Sequence, residues 1–144
     1  MNLKEKTIKD LQKYYKFKNY VIPNILNQLK VIEYELEGVG ALEYSDMPGP
    51  AGGKKITYRR EKLLDKKTNI ELNLAEKKAF VEYIDKALEY FKDDKEIIIE
   101  CLAKDKREKL KDHEICNKFK ISNATLYRKK IDLLDELIEN LYGV

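Results

Sequence analysis

The sequence predicts an all-α protein, with a long N-terminal helical arm ahead of a C-terminal helical bundle. Three observations predict it. Leu, Ile, Lys and Glu dominate a chain of 144 residues with only six Gly, three Pro and no Trp, a composition that favours helix. Apolar residues recur at spacings of three and four over long stretches, the period of one helix face. Capping-box spacings, Asn73 with Glu76 and Asp93 with Glu96, mark helix starts. Charged residues make up 38% and apolar residues 43%, so a solvated surface and a buried core are both available without disulfides.

The arm covers residues 1–42. Ile8, Leu11, Tyr15, Ile22, Ile25 or Leu26, Leu29, Ile32 and Leu36 carry the helical spacing. Pro23 interrupts it: its ring clashes with the Asn19 carbonyl and its missing N–H removes a bond. The expectation is a kink there, or two helices meeting near Tyr20 with Pro23 in the first turn of the second. Tyr14, Tyr15 and Tyr20 stand among lysines. Their spacing favours packing, with stacking on single-stranded nucleic acid as the lesser alternative.

Residues 43–55, EYSDMPGPAGGKK, hold two prolines and three glycines and read as a linker without regular structure. A phosphate-binding loop would need Gly where Pro48 stands and Ser or Thr where Lys55 stands. A third segment, 56–144, reads as a helical domain. ITYRREKLLDKK predicts a short helix. Asn73 with Glu76 has capping-box spacing for the next, which carries Phe80, Ile84, Leu88 and Phe91. Asp93 with Glu96 has the same spacing ahead of DKEIIIECLAK. Its triple Ile also suits a strand, but the cap and the flanking helices favour helix.

Charge is distributed unevenly. The formal net charge is +3, yet Lys104 to Lys130 holds ten Lys or Arg against four Asp or Glu, followed from Ile131 by four acids and no base. Only the basic block suits a polyanion. Within it, residues 112–131 meet the requirements of a helix-turn-helix in order. Ile115, Cys116 and Phe119 form an apolar face with a small residue at the crossing point. Ile121 is the buried turn residue, Ser122 a preferred N-cap and Leu126 the anchor of the second helix. Gly commonly fills the place of Lys120, where φ tends to be positive. A Lys there costs about 1 kcal/mol of strain, or the turn has another geometry.

The outward residues have the chemistry of groove recognition. Arg128 suits guanine and Asn123 adenine through bidentate contacts, and the methyls of Ala124 and Thr125 suit thymine. Tyr127 lies on the same face. Lys118, Lys120, Ser122, Lys129 and Lys130 suit phosphates, which position without specifying. A solvated basic face on an ordinary helix pair is the competing reading. The acids after Lys130 imply that DNA contact ends there. Tyr127, Ile131, Leu134, Ile138 and Leu141 form one apolar stripe of the last helix, with Leu133 and Leu137 beside it. One stripe serves the domain; the other is expected on the protein's own arm in preference to a second copy.

The stretch KEIIIECL…DHEICNKFKISNATLYRKK resembles region four of bacterial sigma factors. With the arm and the linker, the chain is similar to phage-encoded late-gene regulators of the ArpU/RinA type. The resemblance implies a transcriptional activator acting on double-stranded DNA in a bacterial host, with RNA polymerase or a second copy as partner of the arm. The alternatives are a small-terminase-like DNA-packaging subunit and a helical adaptor binding protein only. No enzyme, cofactor or metal is expected. His113 has no spacing that pairs it with a nucleophile, and one His with Cys101 and Cys116 falls short of a zinc ligand set. A core cysteine and an exposed histidine is the simpler reading. MNLKEKTIKD lacks an apolar h-region and no apolar run approaches membrane-spanning length. A soluble cytoplasmic protein with free thiols is expected.

Overall fold

The computed structural model describes residues 2–43 and 50–143, with side chains for 2–39 and 57–143. The protein is all-α, with no strand among the described residues. Among the described residues six α-helices follow in order: α1 (Leu3–Lys16), α2 (Ile22–Glu43), α3 (Pro50–Glu89), α4 (Lys95–Ile98), α5 (Asp112–Phe119) and α6 (Asn123–Tyr142). They belong to two compact units. Residues 1–19 and 79–144 make the first and residues 20–78 the second.

Several local features follow from the residues at hand. Asn2 caps α1, its Oδ1 accepting the Glu5 N–H at 2.8 Å. A π-helical turn, Phe17–Val21, joins α1 to α2. The wider turn lies just ahead of Pro23, the second residue of α2, where a bond from the ring nitrogen is missing. The irregularity expected at Pro23 is thus located at Phe17–Val21.

Three expectations need correction. First, α3 runs unbroken from Pro50 to Glu89, so the short helix and the Asn73–Glu76 capping box do not form. Leu63, Ile70, Leu74, Val81, Ile84 and Leu88 keep helical spacing straight through Asn73, and burial along that stripe outweighs a local capping preference. Asn73 Oδ1 instead accepts from Lys77 Nζ at 2.8 Å. Second, the segment expected to be irregular over 43–55 is helical from Pro50, a residue suited to a first helical turn; its residues 44–49 lie outside the described ones. Third, the Asp93–Glu96 cap is absent. Asp94 holds the N-cap position of α4 with helical dihedrals and no side-chain capping bond, because its carboxylate takes Lys129 Nζ at 2.9 Å.

The first unit is built on α1 and α6. The α1 helix packs on the π-helical turn Ile99–Ala103 that continues α4, and on α6; α5 and α4 also pack on α6. Its core includes Leu11, Ile84, Leu88, Phe91, Ile98, Ile115 and Leu137. Each such side chain contributes about 1.5–3 kcal/mol on burial. Thr7, Leu11 and Tyr14 are the buried residues of α1, whereas Ile8 and Tyr15 are half-buried. The face is thus turned by one residue from the expected one. Polar partners permit the shift: Thr7 Oγ1 donates to the Leu3 carbonyl at 2.7 Å and Tyr14 Oη donates to Asp85 Oδ1. Residues 2–19 of the arm therefore belong to the C-terminal bundle, and domain bounds at 42 and 56 do not coincide with the compact units. Leu133, Leu134, Leu137 and Ile138 are all buried, so both stripes of α6 are used along this stretch. The packing of α1 on α6 matches the expectation for the second stripe.

The second unit pairs α2 with α3. Ile25, Ile32 and Val39 of α2 are buried, as are Leu63 and Leu74 of α3. Lys67 lies 3.9 Å from Glu33 across the pair. Leu26, Val31, Tyr34, Leu64 and Leu72 remain exposed. No helix among the described residues is long and apolar enough to cross a membrane.

Candidate nucleic-acid interface

The α5 and α6 helices are joined by Lys120, Ile121 and Ser122. Lys120 takes the left-handed conformation, φ 56° and ψ 48°, where Gly is the usual occupant. The Ile121 N–H reaches back to the Cys116 carbonyl at 3.0 Å, closing the end of α5 in the manner of a Schellman motif. Ser122 caps α6, its Oγ accepting the Thr125 N–H at 3.1 Å and donating to Thr125 Oγ1 at 2.9 Å. Ile115, Cys116 and Leu126 are buried, Phe119 and Ile121 half-buried. The turn therefore keeps its expected geometry despite Lys120, and the strain is the form that the departure takes.

The base-contact candidates divide into two groups. Ala124, Tyr127 and Arg128 are exposed, and Arg128 forms no ion pair among the described residues. Asn123 and Thr125 are engaged. The Cys116 thiol donates to Asn123 Oδ1 at 3.1 Å, so an adenine would have to share that oxygen. Thr125 is half-buried and bonded to Ser122.

The phosphate candidates divide likewise. Lys120 is exposed in the turn. Lys118 lies 3.8 Å from Glu100. Lys129 is held by Asp94, and Lys130 by Asp112 Oδ1 at 3.0 Å. That bond to Lys130 holds the Asp112 carboxyl below its ordinary range. Ser122 is committed to its cap. The structure thus leaves Lys120, Ala124, Tyr127 and Arg128 open at or after the turn, keeps the exposed Lys118 at the end of α5 near Glu100, and ties Lys129 and Lys130 to Asp94 and Asp112.

An open groove of about 640 Å³ lies between the starts of α5 and α6, lined by Lys111, Asp112, His113, Asn123, Leu126, Tyr127 and Lys130. His113 is exposed and Cys116 buried. Cys101 is buried too, and burial pushes its thiol up, away from thiolate reactivity at neutral pH. Among the described residues no three His, Cys, Asp or Glu gather into a metal-binding group.

One further residue, not singled out by the sequence, ties the segments around α5 together. Glu100 is 2% exposed. Its carboxylate accepts from Lys104 Nζ at 2.6 Å and from the Leu110 N–H at 3.3 Å. Its position in IIIECL, with i,i+4 spacing to Lys104, was visible, but such a pair is usually solvated. Comparison of the chain with family models, curated proteins and solved structures finds no match.

Proposed function

We propose that this chain is a sequence-specific double-stranded-DNA-binding transcriptional regulator, a phage or prophage late-gene activator in kind, acting in the cytoplasm of a bacterial host. Residues 112–131 form its helix-turn-helix, and α6 enters the major groove by its first two turns. The observation that carries this reading is the turn itself. A left-handed Lys120, a half-buried Ile121 and a capping Ser122 start a helix that exposes Ala124, Tyr127 and Arg128. Arg128 reads a base, most simply guanine, and Lys118 and Lys120 steer the backbone. The second unit, with Leu26, Val31, Tyr34, Leu64 and Leu72 exposed, serves protein contact, with RNA polymerase or a second copy.

Titrating duplex DNA at several salt concentrations tests this, together with selection of bound sequences from a random duplex pool. Binding that weakens with salt and a defined selected sequence are expected. Arg128→Ala should cost about 1–3 kcal/mol of discrimination at one base pair. Salt-independent behaviour, or an unchanged preference in the Arg128 variant, would refute the assignment. A ring-shaped oligomer would favour a packaging subunit instead. Activity that survives charge reversal of Lys118 and Lys120 would favour a protein adaptor.

A further inference from the structure

We infer that the loop between the π-helical turn and α5, Lys104 to Lys111, is a second and sequence-independent contact for the phosphodiester backbone of duplex DNA. It supplies more of the electrostatic affinity than Lys129 and Lys130 do. The inference rests on the DNA-binding reading above.

Pairing carries the inference. Of the ten Lys and Arg from Lys104 to Lys130, Lys104 and Lys118 face Glu100, Lys129 faces Asp94 and Lys130 faces Asp112. Lys106, Arg107, Lys109 and Lys111 are exposed and make no ion pair among the described residues, Lys109 acting on Asp112 only at longer range. A cation held by a carboxylate at hydrogen-bond distance, as Lys104, Lys129 and Lys130 are and the looser Lys118 is not, gains little from a phosphate, because one contact replaces another. A free cation gains the whole of the contact and the counterion it releases.

The loop also has a defined shape. Glu100 holds both of its ends, through Lys104 and the Leu110 N–H. The Glu108 and Lys109 N–H groups both bond the Asp105 carbonyl at 2.9 Å, folding the middle. The Glu108 carboxylate accepts from Tyr15 Oη at 2.6 Å, so this acid is engaged with α1 while its basic neighbours make no ion pair among the described residues. Less ordering entropy is then lost when the loop meets a rigid polyanion. Lys111 lines the same groove as Asn123 and Tyr127, making the loop continuous with the start of α6.

The test compares two full-length variants with the wild type, by anisotropy titration of a labelled duplex over a salt series. One carries K106Q, R107Q, K109Q and K111Q, and the other K129Q and K130Q. The slope of log Kd against log salt should fall by about 3.6 in the loop variant, at about 0.9 per phosphate contact, and by less than about 1 in the helix variant. Base preference should be unchanged in the loop variant. A loop variant within about 1 of the wild-type slope, or the reverse order of the two, overturns the inference and leaves the DNA-binding reading standing. A wild type that binds no duplex removes both. Circular dichroism checks folding. Should the fourfold variant not fold, the four single variants replace it, each expected to lower the slope by about 0.9; four unchanged slopes overturn the inference.

Discussion

Removing Glu100 should weaken the first unit more than removing any other charge in it. In Glu100→Ala the Lys104 ammonium loses a charge-assisted bond of about 1.5–3 kcal/mol. Lys104 is 24% exposed, so it partly rehydrates, and about 2 kcal/mol is the better figure. The Leu110 N–H loses its acceptor, which adds about 1–2 kcal/mol. Lys118, 3.8 Å away and 49% exposed, adds under about 0.5 kcal/mol. The expected loss is about 3–4 kcal/mol, within the range of about 3–5 for breaking a buried pair. Glu100→Gln keeps an acceptor for Leu110 and should lose only about 1.5–2 kcal/mol. Urea denaturation followed by circular dichroism measures both. A double-mutant cycle with Lys104→Met should return a coupling of about 1.5–2 kcal/mol. If Glu100→Ala costs less than about 1 kcal/mol, or if Ala and Gln cost the same, the buried carboxylate is not the clamp described.

Three other outcomes are expected. Asp112→Asn frees Lys130 and removes an acid from the groove. It should steepen the salt slope of DNA binding by about 0.9 and cost less than about 1 kcal/mol of stability, since the pair is exposed. An unchanged slope in a salt-series titration would contradict this. Lys120→Gly relieves about 1 kcal/mol of left-handed strain and adds about 0.4–1 kcal/mol of unfolded-chain entropy. It should therefore stabilise by under about 1 kcal/mol while weakening binding equally across sequences; destabilisation in urea melts would contradict the turn geometry. Burial, then the bond to Asp85, raises the Tyr14 phenol. For Lys18, burial pulls downward, but the bonds to Tyr14 and Asp85 outweigh it and the net shift is upward. Both groups hold their protons more tightly in the fold. Their contribution is complete below the unfolded values near 10 and is lost as pH climbs through the folded ones. The melting temperature should thus fall more steeply above about pH 10 in the wild type than in Tyr14→Phe, and parallel curves would contradict the triad.

How much was legible in advance differs by element. The α5–turn–α6 segment was legible because its determinants are local. Ser122 caps its own helix, Ile121 and Leu126 pack within a few residues, and backbone φ at Lys120 answers to the turn. The break in α3 at Asn73 was misjudged because a capping preference of about 1 kcal/mol competes with burial along a continuous stripe. That burial depends on partners distant in sequence, such as α1 and α6 in the first unit. The expected face of α1 missed by one residue for a similar reason. Tyr14 is burial-competent only because Asp85, seventy-one positions away, accepts its hydroxyl.

By itself, the sequence determined the all-α class, the site of the turn, the cap at Ser122 and the concentration of positive charge from Lys104 to Lys130. These follow from propensity, period and composition, which act over a few residues. Tertiary structure alone decided which charges are free. Lys129 and Lys130 are spent on Asp94 and Asp112, Lys104 on a buried Glu100, while Lys106, Arg107, Lys109, Lys111, Lys120 and Arg128 make no ion pair among the described residues. Ion pairing depends on distances of a few ångströms between residues brought together by packing, and no count along the chain contains them.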